Sequence, residues 1–434
     1  MRPALGTIPL LLAGQLVLAT VAGAQPPGAA IELTVDELVS RALVDNPDLR
    51  AARAEIEGAE GRLQQAGLRP NPTLELSGQK AVSPDNNLMI GLTVPLDLNG
   101  RREGRVGVAE RELRIKRALV QDRERRLAAD VRMKAGEVLA ARRNLAVADD
   151  LLLVNREALR LVQDRIREGA SPALDESLML VEVNRLDASR QLSMSRVEIA
   201  SLQLNALVGM PPDAPLRLQG DLAVPPTPPD VAAAVPATLG VRPDLEMARA
   251  DVARALASVR KEQAEGRWDA SINVGYQRQN FGFNLNGLTA NGATRPIQDV
   301  FHYVGAGVSI VLPVRNQNQG NIAAARADAQ AAERRLQFME LTAQQEVSAA
   351  LAQYAAARRS LAIYERGVRD VARRNLGVVR QTYELGRVSL MDVVAEQRRY
   401  IEVENGYTDV LKQVYDAAVD IRRALGTSPS AAGR

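Results

Sequence analysis

Two stretches of about 65 residues, Arg101 to Arg167 and Gly320 to Leu385, carry apolar side chains at intervals of three or four. In the first, the stripe runs Leu127, Val131, Ala135, Val138, Ala141, Leu145, Ala148, Leu152, Asn155, Leu159, Val162 and Ile166. Arg and Glu fill the opposite face. The second runs Leu336, Met339, Ala343, Val347, Ala350, Tyr354, Ala357, Leu361, Tyr364, Val368 and Val371. This period places each set on one side of a helix. At about 1.5 Å per residue each helix would be roughly 100 Å long, more than a globular domain can hold. The pattern predicts two one-sided rods that need lateral partners.

Other segments alternate with the period of a strand. Leu74 and Leu76 oppose Glu75 and Ser77; Ile90, Leu92, Val94 and Leu96 oppose Met89, Gly91 and Thr93. A turn signal at 83–87 joins these two into a hairpin at about 72–97. A second hairpin, about 268–314, sets Ala270, Ile272, Val274 and Tyr276 against Ser271, Asn273, Gly275 and Gln277, with an Asn- and Gly-rich loop at 280–298. A helix from about Thr34 to Gly67 precedes the first hairpin, opened by Thr34 with Glu37 three residues on. Nine prolines between Met210 and Pro243 mark a linker at 210–240.

The two sides of this linker repeat. Asn46-Pro47-Asp48-Leu49 corresponds to Arg242-Pro243-Asp244-Leu245, and Gly169 and Gly209 correspond to Gly386 and Gly426 at an offset of 217. Two tandem units of helix, β-hairpin, long helix, turn and returning helix are expected, at 25–209 and 241–426, with a short tail at 427–434. The turns fall at about 168–172 and 385–389.

The ends and the composition narrow the class. Residues 1–24 have Arg2, an apolar run from Ile8 to Ala22 and a small-residue site before Gln25, the pattern of a cleaved signal peptide. No Cys follows that site, so no lipid anchor is expected, and no later stretch reads as a transmembrane helix. The chain has one His and no Cys, which removes cysteine-based metal sites, thiol nucleophiles and disulfides and leaves no catalytic constellation. A net charge of +3 on alternating charges leaves no nucleic-acid footprint. In an exported protein, strands apolar on one face and polar on the other fit a membrane β-barrel. Trp268 and Tyr276, about 26 Å apart along a strand, suit its two interfacial girdles. Four strands cannot close a barrel, so several chains must share one. The other reading of the same pattern is a secreted periplasmic coiled-coil scaffold with small sheets and no pore.

Several motifs resemble those of the TolC family of outer-membrane efflux factors. They are the paired Asn46-Pro47-Asp48-Leu49 and Arg242-Pro243-Asp244-Leu245 starts, Leu92-Thr93-Val94-Pro95-Leu96, Val311-Leu312-Pro313-Val314 leading into Asn318-Gln319-Gly320, and Tyr383-Glu384-Leu385-Gly386-Arg387-Val388-Ser389-Leu390-Met391-Asp392-Val393. The resemblance covers about Leu33 to Gly426, and the strand-to-helix junctions look most like the cobalt-zinc-cadmium branch. It implies a mainly α chain with membrane β, a homotrimer with a twelve-stranded outer-membrane barrel and a periplasmic helical barrel. The implied partners are a periplasmic adaptor, an inner-membrane resistance-nodulation-division pump and outer-membrane lipid, with no cofactor and no resident metal. The implied cargo is divalent heavy-metal cations; hydrophobic drugs or other small molecules are the alternative.

By the same resemblance Gly169, Ser171, Gly386, Arg387, Val388 and Ser389 form the periplasmic tip that meets the adaptor. Asp175, Asp392 and Glu396 are the acidic candidates for a gate or lumen. Some members carry a second aspartate three residues beyond the first; here Ala395 stands there, with Glu396 adjacent. His302 is read as an interfacial anchor on the apolar strand face.

Overall fold

The computed structural model describes residues 31–80, 85–224, 240 and 242–426. The expected signal peptide, much of the proline-rich linker and the tail at 427–434 lie outside the described residues. A short strand β1 (Ile31–Thr34) leads into α1 (Val35–Asp45) and α2 (Pro47–Gly67). Strands β2 (Thr73–Lys80) and β3 (Asn86–Pro95) precede α3 (Arg101–Arg167) and α4 (Ala173–Val208). Then come β4 (Leu216–Gln219), α5 (Pro243–Glu265), β5 (Asp269–Leu288) and β6 (Thr294–Val311). The chain continues through α6 (Gln319–Ile363), a π-helical turn (Tyr364–Val368), α7 (Arg369–Glu384) and α8 (Leu390–Ala424).

Local chemistry fixes the starts. Thr34 caps α1, its hydroxyl accepting the Glu37 N–H while the Glu37 carboxylate accepts the Thr34 N–H at 2.7 Å. The single helix expected from Thr34 to Gly67 is two. Pro47 has no N–H to continue the ladder and pushes Asn46 out of the helical region, to ψ 122°. Asn46 then caps α2 by accepting the Leu49 N–H at 3.0 Å and donates to the Leu207 carbonyl near the end of α4.

The second rod is also interrupted. The helix kinks within the π turn at Gly367, and Val368 and Val371, expected on the buried stripe, are exposed; Ala372 and Leu376 carry the buried face onward. In the first rod no stripe residue is exposed. Val131, Ala135 and Val138 pack with Leu204, Leu411 and Val414 in the largest core. Fully burying each Val or Leu is worth roughly 1.5–3 kcal/mol. The seams are thin because small residues admit close neighbours: a Cβ on Gly136 would sit 2.8 Å from the Tyr415 ring.

Two sheets complete the fold. β1 and β4 pair in parallel, so part of the expected linker is a strand. β2, β3, β5 and β6 form one antiparallel sheet in that order, leaving β2 and β6 as open edges. The loop expected at 280–298 is mostly strand: β5 and β6 stay paired out to Leu288 and Thr294, with a register shift between Phe283 and Asn286. The missed signal was the alternation of Phe281, Phe283 and Leu285 through the Asn and Gly residues.

No described helix is long and apolar enough to cross a membrane. Exposed apolar side chains such as Leu174, Val181, Phe338 and Leu341 are scattered along the helices, and on the sheet they gather on one face.

Candidate functional site

In the sheet the usual relation between polarity and burial is inverted. Leu74 and Leu76 on β2, Ile90 and Leu92 on β3, Ile272 and Val274 on β5, and Val304, Val308 and Ile310 on β6 all lie on one face and are exposed, Val304 by 82%. On the opposite face Gly91, Thr93, Ser271, Asn273, Gln277 and Gln279 are half-buried. In the two inner strands, β3 and β5, the polar face is thus the more sheltered one; on the edge strands β2 and β6 both faces are exposed. Tyr276 is on the apolar face, with its hydroxyl 2.7 Å from His302 Nδ1 and the two rings stacked. Trp268 is exposed just before β5, and its carbonyl accepts a hydrogen bond from Asn99.

At the far end of the rods two turns stand side by side. Two residues past the end of α3 stands Gly169, φ +75°, with the Ala170 N–H donating back to the Arg165 carbonyl; two past the end of α7 stands Gly386, φ +73°, with the Arg387 N–H donating to the Thr382 carbonyl. Both are left-handed helix stops, a conformation that glycine adopts without a Cβ penalty. Ser171 precedes the start of α4, and Val388 leads to Ser389, which caps α8 reciprocally with Asp392. That hydrogen bonding from Ser389 holds the Asp392 carboxyl below its usual range. Glu396, one turn on, pairs with Arg399 at 3.2 Å. Asp392 and Glu396 therefore both have local partners, a cap and an ion pair.

The turns are tied together. Arg165 donates to the Glu384 carbonyl at 3.1 Å and lies over the Tyr383 ring. Val162, Met179 and Leu390 form a small core between them. Asp175 is half-buried near Tyr383, whose hydroxyl is pushed up by burial and then by the charge of Asp175.

Between α3 and α7, over α8, runs a groove with two cavities of about 320 and 520 Å³. Arg380 lines both. Burial draws its pKa down, and among the described residues it has no carboxylate partner. Arg143, Arg369 and Arg373 line the upper cavity; Arg369 pairs with the buried Glu404 at 2.7 Å and, like Arg143, lies over the Tyr407 ring. The alternation of Arg with apolar residues along α7 reads in sequence as an ordinary solvated face, so the sequence alone carries no signal for this groove.

A third centre holds the base of α5. Arg242, 2% exposed, makes a bidentate pair with Asp244, reaches Glu346 at 2.7 Å and donates to the Ala424 carbonyl at 2.9 Å. Asn46 makes the equivalent tie to Leu207. Burial pushes the Asp244 carboxyl up, but hydrogen bonds from Arg242 and the charges of Arg242 and Arg125 outweigh it and hold it below the usual range. The substitution of Arg for Asn at matched positions was the available signal.

Among the described residues no cluster of His, Asp and Glu could hold a metal ion. The sequence pattern of the outer membrane efflux protein family matches residues 38–209 and 234–427. The chain is 25% identical over 401 residues to the cobalt-zinc-cadmium resistance protein CzcC of Cupriavidus metallidurans, covering 92% of each. It is 27% identical to the outer membrane protein OprJ of Pseudomonas aeruginosa, covering 93% of this chain and 88% of that one. Crystal structures of CusC, described by its transmembrane channel formation, share the fold with a TM-score of 0.73 at 18% identity, over 90% of this chain and 92% of theirs. Helical rods, a sheet with its apolar side outward and matches along almost all of the chain lead to one assignment: it is not an enzyme, and it belongs to the outer membrane efflux protein family.

Proposed function

We propose that three copies of this chain form a passive duct, the outer-membrane component of a tripartite efflux system. Four strands from each copy close a twelve-stranded barrel, and the rods continue it as a helical barrel into the periplasm. The observation that carries this reading is the sheet: one continuous face of apolar side chains is exposed, the polar face of the two inner strands is half-buried, and both edges are open. An unpaired edge in lipid costs several kcal/mol per unsatisfied backbone group, so neighbouring copies must pair β2 with β6. Nothing in this arrangement calls for the poreless scaffold.

The tip turns and the groove above them are the docking face for a periplasmic adaptor, which links the duct to an inner-membrane resistance-nodulation-division pump. Gly169, Ser171, Gly386, Arg387, Val388 and Ser389 form the end of the rods, and the unpaired Arg380 offers a charged contact to an acidic side chain of the partner. The candidate gate acids Asp175, Asp392 and Glu396 lie within this region, and opening would require Ser389 and Arg399 to release the last two.

The cargo is divalent heavy-metal cations, on the likeness to the cobalt-zinc-cadmium resistance protein over nearly the full length of both chains. The upstream pump selects it, because the described residues offer no metal site of their own. Growth of a deletion strain on zinc, cobalt and cadmium, beside a panel of hydrophobic drugs and detergents, tests this. Metal sensitivity restored by the intact gene is expected; sensitivity to drugs alone would keep the duct and overturn the cargo.

A further inference from the structure

The polar face of the sheet does not stay polar. From Ser271 to Gln279 it carries Ser, Asn, Gly and Gln, but at its far end Tyr303, Phe301 and Phe281 stand on that same face. Their position follows from the register. Tyr303 pairs with Gln277 and Phe301 with Gln279, both within the four-stranded part, and Phe281 is the first residue of β5 beyond its last pair with β3. Phe281 meets Phe301 edge-on at 6.0 Å, and Phe301 stacks on Tyr303 at 6.5 Å between ring centroids. Phe283 and Ile297, a cross-strand pair on the same face, extend the patch onto the projecting ribbon of β5 and β6. All five side chains remain exposed, between 36% and 48%.

Three aromatic rings facing water forfeit burial that each could make over roughly 150–250 Å². Lipid cannot cover them, because the lipid-facing side chains at the same height, Val300 and Val304, point the opposite way. Nor do other described residues, since all five side chains stay exposed and β2 and β3 end at Lys80 and Asn86, short of the ribbon. Within a closed barrel the inward face at this height meets water and, among the described residues, the same face of the other copies. The Gly282 N–H donates to Asp85 at 2.6 Å and anchors the ribbon where it leaves the sheet, so the patch is held at the mouth.

We propose that the Phe281–Phe301–Tyr303 patches of the three copies pack on one another across the outer mouth, forming an aromatic collar that narrows the exit at rest. This inference rests on the trimeric duct proposed above. The collar is a second constriction, at the opposite end from the periplasmic tip, and cargo leaves by parting the ribbons.

The chain contains no Cys, so single-cysteine cross-linking is clean. Ile297→Cys, oxidised in the outer membrane or treated with a short bismaleimide, is expected to link two chains of each trimer. Val304→Cys, on the opposite face, is expected to give no link. Replacing Phe281, Phe301 and Tyr303 together by Ala in the Ile297→Cys chain is expected to abolish the link while leaving the trimer intact by native mass. An intact trimer without an Ile297→Cys link would overturn the collar and leave the duct standing. Absence of the trimer in the parent chain would overturn both.

Discussion

Placing an arginine at Val308 tests the membrane assignment at the depth where it should cost most. Trp268, just before β5, and Tyr276, paired with Val304, mark the two ends of the apolar face, eight residues apart. Eight residues at about 3.4 Å each, tilted by roughly 40°, rise about 21 Å, close to the roughly 25 Å apolar band of outer-membrane barrels. Val308 pairs with Ile272 midway along that rise and is 64% exposed. An arginine facing lipid at the midplane costs about 2–4 kcal/mol per chain, an equilibrium factor of roughly 30 to 800. Gly307 is its control: it is the preceding residue, at the same depth on the polar face, and a Cβ there meets nothing within 4 Å. Trp268 is the sole tryptophan and stands at the foot of β5, so its fluorescence reports unfolding of the sheet. Urea titration of the protein in lipid vesicles should show Val308→Arg destabilised by that amount and Gly307→Arg by much less. Equal losses in the two variants would refute the assignment of lipid to the apolar face.

Three other substitutions probe the helical body. Arg242→Met leaves Asp244 buried without its bidentate partner and should cost roughly 3–5 kcal/mol, seen as a lowered thermal midpoint; an unchanged midpoint would remove Arg242 from the joint between α5 and α8. Because Asp244 is held below the usual carboxylate range, its contribution is present above the unfolded value of about 3.9 and is lost as pH falls through its lower folded pKa. Asp244→Asn should therefore flatten the acid limb of the stability profile, and an unaltered limb would assign that slope elsewhere. Gly386→Ala has free space around the new methyl, so its cost is the left-handed backbone alone, about 1–2 kcal/mol, read as faster amide exchange confined to the tip. Exchange unchanged at the tip would argue against a strained turn.

The long-range order of this chain was legible because periodicity needs only side-chain spacing. The stripe through Val131, Ala135 and Val138 specified a helix of α3's length, and the alternation around Val274 specified a strand with an outer and an inner face. What escaped depended on backbone or on partners far away in sequence. The break at Pro47 is local chemistry that the stripe overrode, and the kink at Gly367 follows from packing that no single face reveals. The extension of β5 and β6 was hidden because Asn and Gly dominate the ribbon while Phe281 and Phe283 carry its period. Arg242 looked like a motif residue until its contact with the Ala424 carbonyl, across 182 residues of chain, made it a structural tie. Candidate tip residues could be placed from sequence because a left-handed glycine stop has a signature of its own. The groove could not, because Arg143 and Arg380 come from helices that meet only in the folded chain.

The most direct test is an electron-microscopy map of the protein taken from the outer membrane into a lipid nanodisc. A three-fold particle is expected, with twelve strands closed in the bilayer, β2 of each chain paired with β6 of the next, and a helical barrel below. A single chain with an open four-stranded sheet lying outside the bilayer would contradict it.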